Sequence, residues 1–191
     1  TAKFVDRLRA FLASEAQGMD RFNGRLMLVD YQLSLGNREA AVEDLSALDA
    51  DAAPPLILLG AAEFAMHLRL EDKRDAWVRA AVAKPAEFEE RMALGAYLMT
   101  RLLEVELGEN VFAEALDKAK SDEQRAEVAW HHALAIRERE DLPDGTYDKV
   151  LEELRDEYPK TFFGGVARDR ILARELEVGS DAIPLEIVDI N

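Results

Sequence analysis

Apolar residues recur at helical spacing along most of this chain, and turn residues divide the pattern at near-constant intervals. Gly36, Asp72, Gly108 and Gly145 follow one another at steps of 36, 36 and 37 residues. Each lies between an apolar helical segment and an Ala-containing one. Because one helical hairpin cannot bury its own apolar face, this period predicts hairpins stacked on one another.

The same punctuation predicts where the helices begin and end. Pro85 is expected to open one long helix that stops at Gly108, and Ser121 with Gln124 three residues later is a capping-box signature. Small residues are expected to let paired helices approach closely. They are Gly60, Ala61, Gly95, Ala96 and Ala133.

Two segments resemble tetratricopeptide repeats. One is Leu33-x-x-Gly36-x-x-x-Ala40-Ala41-x-x-x-Leu45, and the other runs from Tyr147 to Thr161. The expected fold is all-α: stacked antiparallel helical hairpins forming a tetratricopeptide-like right-handed superhelix over residues 1–177, with a short extended segment after it. A non-repeating helical bundle is the alternative.

Composition restricts the classes of function. The net charge is −15, which disfavours nucleic acid and anionic membrane surfaces as partners. The chain has no Cys, so it has no disulfide, thiolate metal site or cysteine nucleophile. The most apolar run, residues 56–62, is stopped by Glu63 well short of the roughly 20 residues that a membrane span needs. We therefore expect a soluble helical domain without membrane insertion.

The end of the chain has a different pattern. After Pro184, apolar residues alternate with acidic ones, which is typical of a strand. A lone strand is not stable. Residues 178–191 therefore either lie against the helices or open a domain that continues past Asn191.

This segment resembles the entry to a TlpA-like thioredoxin-fold domain of the redoxin or AhpC/TSA type. The matching residues are Val178, Gly179, Ala182, Pro184, Asp189 and Asn191. It departs from the family in having Ile183 between Ala182 and Pro184. The resemblance implies that residues 178–191 are the linker and first strand of a thioredoxin-like domain. The parent would then be a thiol-disulfide oxidoreductase of a bacterial cell envelope or periplasm, with its Cys-x-x-Cys outside this chain.

Two Glu/His pairs have the i, i+4 spacing that could supply metal ligands from one helix face. They are Glu63/His67 and Glu127/His131, with His132 beside the second pair. Structural hydrogen bonding at helix interfaces is the favoured interpretation, because carboxylate-bridged bundles use a different, i, i+3 register.

Other candidate chemistry is weaker. Acidic pairs such as Glu89-Glu90, Glu152-Glu153 and Asp49/Asp51 are expected to be solvated, and Phe163-Gly164-Gly165-Val166 lacks the Lys and the strand of a phosphate loop. No catalytic, cofactor-binding or metal residue is assigned.

Four aromatic residues could line a peptide-binding surface. They are Tyr31, Trp77, Tyr97 and Trp130. For Trp77 and Trp130 we favour a place in the core, since each lies amid Ala and Val.

These patterns predict a non-catalytic scaffold without a cofactor, which binds another protein or the downstream thioredoxin-like domain. Two alternatives remain open: a metal-binding protein or enzyme using the Glu/His pairs, and a dimerisation module that uses the apolar stripe of the first helix.

Overall fold

The computed structural model describes residues 2–14 and 16–175, and these residues form α-helices joined by turns, without a strand. The all-α prediction is thereby confirmed. The segment 178–191, predicted as a linker and strand, lies outside the described residues, and so does the predicted domain boundary at 177/178. The helices are α1 (Ala2–Ser14), α2 (Gly18–Ser34), α3 (Arg38–Ser46), α4 (Pro55–His67), α5 (Glu71–Ala83), α6 (Phe88–Thr100), α7 (Val105–Lys118), α8 (Asp122–Arg137), α9 (Thr146–Glu157) and α10 (Phe162–Glu175).

The chain divides between Lys118 and Ala119 into two compact units. In the first unit, α2 packs on α3, α4 on α5 and α6 on α7, so consecutive helices form three hairpins. The first helices of these hairpins also pack in order, α2 on α4 and α4 on α6, while α1 packs on α2. These contacts are those of stacked hairpins. The right-handed superhelix stays a prediction.

The turn inside each hairpin carries a residue with positive φ: Gly36 (74°), Arg69 (55°) and Leu103 (58°). Such a left-handed residue commonly ends a helix. Gly36 and Arg69 are 33 residues apart, and Arg69 and Leu103 are 34 apart, which is close to the tetratricopeptide period of about 34.

Two predicted turn positions are wrong. Asp72 lies in the first turn of α5, and Gly108 lies inside α7. The long helix predicted from Pro85 to Gly108 is also wrong, because α6 begins at Phe88 and ends at Thr100. The chain turns at residues 101–104, where Leu103 takes the left-handed conformation without being glycine.

Gly108 serves packing instead. A Cβ there would lie 2.4 Å from Met99 Cγ and 3.0 Å from the Gly95 carbonyl oxygen, and a Cβ on Gly95 would lie 2.9 Å from the Phe112 ring. Both glycines therefore let α6 and α7 approach each other closely. The prediction for Gly95 is confirmed.

Two arginines tie each hairpin of this unit to the next. Arg38, the first residue of α3, donates a hydrogen bond to the Leu68 carbonyl at the end of α4. Arg74 of α5 forms an ion pair with Glu104, just after α6. Both links join residues 30 positions apart. Each hairpin is therefore linked to the next by an arginine, through a backbone carbonyl in the first case and through a carboxylate in the second.

In the second unit, each of α8, α9 and α10 packs on the other two. Trp130, Leu151, Leu154 and Ile171 are buried between them. Ser121 caps α8 as predicted, accepting a hydrogen bond from the Gln124 amide at 3.2 Å. The Gln124 side chain accepts from the amide of Lys120 at 2.8 Å, one residue before the cap.

Candidate functional site

Polar side chains of α4 and α6 gather around one carboxylate of the first unit. The Tyr97 hydroxyl donates a hydrogen bond to Glu63 Oε2. Arg101 Nη2 lies 2.8 Å from Glu63 Oε1. His67 Nε2 lies 4.0 Å from the same oxygen, one helical turn away. We call Glu63, His67, Tyr97 and Arg101 the Glu63 cluster.

The repeat brings these four residues together. Tyr97 follows Glu63 by 34 residues, and Arg101 follows His67 by the same 34. Since α4 and α6 are the first helices of consecutive hairpins and pack on each other, equivalent positions become neighbours. Gly60, about one turn before Glu63, lies next to the cluster, and a Cβ there would be in ordinary contact with the Tyr97 hydroxyl at 3.8 Å but closer, at 3.3 Å, to Leu26 of α2.

The four residues of the cluster differ in exposure, and their contacts fix the protonation states of Tyr97 and Arg101. The Glu63 side chain is 18% exposed, whereas that of Arg101 is 61% exposed. Burial, followed by the hydrogen bond to Glu63, raises the pKa of Tyr97 well above its usual range. The nearby Glu63 carboxylate raises the pKa of Arg101. Tyr97 therefore remains a neutral donor and Arg101 remains a cation across the physiological pH range.

The groups of the cluster differ in how far their hydrogen-bonding capacity is already used. The Glu63 carboxylate already has the Tyr97 hydroxyl and the Arg101 guanidinium as donors. A tyrosine whose pKa is raised is a poor general base near neutral pH. The exposed Arg101 guanidinium and the exposed His67 ring can instead donate hydrogen bonds to carbonyl or carboxylate oxygens of another molecule.

The metal hypothesis gains no support from the described part of the chain, where no group of three or more His, Asp and Glu side chains is placed to hold an ion. Glu63 and His67 belong to the first unit, where the carboxylate is engaged by Tyr97 and Arg101. Glu127 and His131 lie on α8 of the second unit.

The remaining candidate residues from the sequence lie in turns or on exposed helix faces. Phe163-Gly164-Gly165-Val166 lies within α10, directly after the turn from α9, so a helix precedes it rather than the strand of a phosphate loop. Asp49 Oδ1 accepts from the Ala52 amide at 3.2 Å in the turn before α4. Glu89, Glu152 and Glu153 are exposed on their helices.

The four aromatic residues differ in their surroundings, and both tryptophans lie in the core as predicted. Trp77 and Trp130 are 7% and 9% exposed, which confirms their core placement. Trp130 stacks on Phe163 at 6.1 Å between ring centroids, and the Arg170 guanidinium lies 5.0 Å from its ring. Tyr31 packs against Phe4 at 4.8 Å. Tyr97 is therefore the aromatic residue of this set that joins the polar cluster.

Sequence reasoning missed Arg101 and a group of arginines at α1 and α2. The signal for Arg101 was its 34-residue step from His67. Arg9, Arg21 and Arg25 form no compact motif along the chain, and only folding brings them to one pocket.

No protein-family model, curated protein or solved structure matches this chain. Among the described helices, none is both long and apolar enough to cross a membrane.

Proposed function

We propose that this chain is a non-catalytic helical scaffold that mediates protein–protein or interdomain contact in a thioredoxin-family thiol-disulfide oxidoreductase of a bacterial cell envelope. The observation that carries the scaffold role is the Glu63 cluster on successive hairpins. Its carboxylate is engaged internally, and its exposed groups, His67 and Arg101, are donors.

The redox setting rests on the resemblance of residues 178–191 to the entry of a redoxin domain. Reading the coding sequence beyond Asn191 tests it directly. A Cys-x-x-Cys within a following thioredoxin-like segment supports the proposal. A stop codon at that point contradicts the redox part and, with it, an interdomain role for the scaffold.

The scaffold role is tested by measuring how tightly the isolated chain binds the downstream domain in trans. Arg101→Glu reverses the charge of an exposed donor and is expected to weaken binding about tenfold or more. The matched control is Arg79→Glu, because Arg79 is an exposed arginine of α5 that forms no ion pair with a described residue. Equal affinities of the two variants would contradict a role for the Glu63 cluster.

A second candidate function is dimerisation through α1. Phe4 and Phe11 lie seven residues apart, on one face of the helix, and remain 43% and 37% exposed. Exposed aromatic side chains on one face are typical of an interaction surface. Analytical ultracentrifugation decides this: a dimer that Phe11→Glu dissociates supports it, and a monomeric wild type at micromolar concentration contradicts it.

A further inference from the structure

A pocket of about 430 Å³ lies between α1, the start of α2 and α3 in the first unit. Three arginines line it, Arg9 from α1 and Arg21 and Arg25 from α2, together with the carboxylate of Asp44 from α3. Their charges sum to +2 in a chain whose net charge is −15. The pocket therefore concentrates positive charge on a protein that is otherwise strongly acidic.

The internal contacts of the pocket satisfy only part of this charge. Arg9 Nη2 lies 2.9 Å from Asp44 Oδ2, which is a complete ion pair. Arg25 reaches the Asp44 backbone carbonyl at 3.3 Å. No ion pair joins Arg21 or Arg25 to a carboxylate of the described residues, which do not include Glu15.

Arg25 also shows that the two unpaired guanidinium groups repel each other. Burial, followed by the charge of Arg21, lowers the pKa of Arg25, and the opposing effect of Asp44 is smaller. An anion bound between Arg21 and Arg25 would remove this repulsion.

The start of α2 adds a second attraction for anions. Gln17 lines the pocket and is the N-cap of the 17-residue α2, but its side chain makes no capping hydrogen bond. The first-turn amides of a helix lack partners within the helix and carry the positive end of its dipole. Asp20, in the same turn, is exposed and does not line the pocket.

We propose that this pocket binds a phosphate group, either as inorganic phosphate or as part of a small phosphomonoester. A dianion matches the +2 charge of the described side chains that line the pocket, and guanidinium groups offer paired N–H donors that suit phosphate oxygens. The bound group would connect α1 to α2 through Arg9, Arg21 and Arg25. This site is independent of the scaffold role and of the Glu63 cluster.

Calorimetric titration of the full 191-residue chain tests the proposal, with inorganic phosphate, glycerol phosphate and succinate as separate probes. We expect saturable binding of at least one phosphate probe, and Arg21→Gln should weaken it about tenfold because a charge-assisted hydrogen bond is lost. Arg79→Gln is the control, since it removes the same charge from an exposed site on α5 outside the pocket. The relative affinity of the two phosphate probes shows whether the pocket prefers free phosphate or a phosphomonoester.

Three results would overturn the proposal: no saturable phosphate binding, equal weakening by both variants, or succinate binding as tightly as phosphate. Arg21 is exposed and donates no hydrogen bond to a described residue, so its replacement should leave the fold intact. If Arg21→Gln nevertheless unfolds, amide NMR shifts of the wild type decide the matter. Phosphate must then shift the amides of Gln17 and Arg21, which line the pocket, and shifts confined to residues away from the pocket would contradict the site.

Discussion

The carbonyl oxygen of Tyr158 lies only 1.9 Å from the position where residue 164 would carry a Cβ. Thr161 holds this corner between α9 and α10. Its hydroxyl donates to the same carbonyl at 2.8 Å and accepts from the Gly164 amide at 3.0 Å. Because the obstacle is backbone, a side chain at 164 cannot be accommodated by a rotamer change.

Gly164→Ala should therefore destabilise the second unit, by about 2–3 kcal/mol for a backbone shift in a packed corner. Gly165→Ala is a matched control in the next position of the same helix. A Cβ there meets nothing within 4 Å, so it should be neutral or stabilising by up to about 1 kcal/mol.

The two tryptophans make this measurement selective, because Trp77 lies in the first unit and Trp130 in the second. In a Trp77→Phe background, urea unfolding followed by Trp130 fluorescence reports on the α8–α10 unit. Equal midpoints for Gly164→Ala and Gly165→Ala would show that the corner tolerates a side chain.

Tyr97→Phe should lower the free energy of unfolding by about 1 kcal/mol, because the partly buried Glu63 carboxylate loses a donor but keeps Arg101. Tyr31→Phe is the control. The Tyr31 hydroxyl makes no hydrogen bond to a described residue, and the change should stay within about 0.5 kcal/mol. Urea unfolding of both variants measures the difference, and a Tyr31 effect as large as that of Tyr97 would contradict the role of the hydrogen bond.

The raised pKa of Tyr97 also predicts how stability depends on pH. An unfolded tyrosine ionises near pH 10, whereas the folded chain keeps the Tyr97 proton to higher pH. Above about pH 10 the folded state therefore binds more protons, so the free energy of unfolding falls as pH rises. This contribution is fully present below pH 10. Tyr97→Phe should show a shallower decline in denaturant series between about pH 9 and 11, and an unchanged slope would contradict the assignment.

The capping contact at α8 predicts a loss of stability that a second substitution at the same position should restore. Ser121→Ala removes the acceptor for the Gln124 amide and should cost about 1 kcal/mol, while Ser121→Asp restores an acceptor and should recover most of it. Thermal unfolding followed by Trp130 fluorescence in the Trp77→Phe background measures both variants. A loss that Asp fails to rescue would mean that Ser121 acts through something other than the cap.

Leu103 predicts a gain in stability. Its φ of 58° is a conformation that glycine adopts without steric cost, and its side chain is 64% exposed. Leu103→Gly should therefore stabilise the first unit by up to about 1 kcal/mol. Leu116→Gly, inside α7 at 40% exposure, should destabilise it by about 1 kcal/mol or more. Chemical unfolding of the two variants checks the contrast in sign.

The sequence predicted the helices well but not the corners between them. Apolar spacing marks a helix where one face is buried, as it does for α1, α2 and α9. It did not separate α6 from α7, because Leu102 and Leu103 continue the apolar pattern through the turn between them. The corners at Arg69 and Leu103 contain no Gly or Asn to mark them in the sequence, because other residues take the left-handed conformation there. Gly108 was wrongly predicted as a turn residue, because the absence of its Cβ makes room for the Met99 side chain inside a helix pair.

The candidate site was predicted in parts. Glu63, His67 and Tyr97 were each singled out, but for metal binding or for an aromatic surface rather than for one cluster. The missing element was the register between α4 and α6, which shifts when the repeat is counted from the wrong turns. The arginine pocket had a partial sign in the i, i+4 spacing of Arg21 and Arg25, but the sequence did not show that Arg9 of α1 and Asp44 of α3 join them.

The corner residues Gly36, Arg69 and Leu103 share a backbone geometry and have no side-chain chemistry in common. At these corners the backbone φ angle repeats, whereas the residue type does not. Most corner residues of such an architecture can therefore be substituted while each pair of helices keeps the same packing.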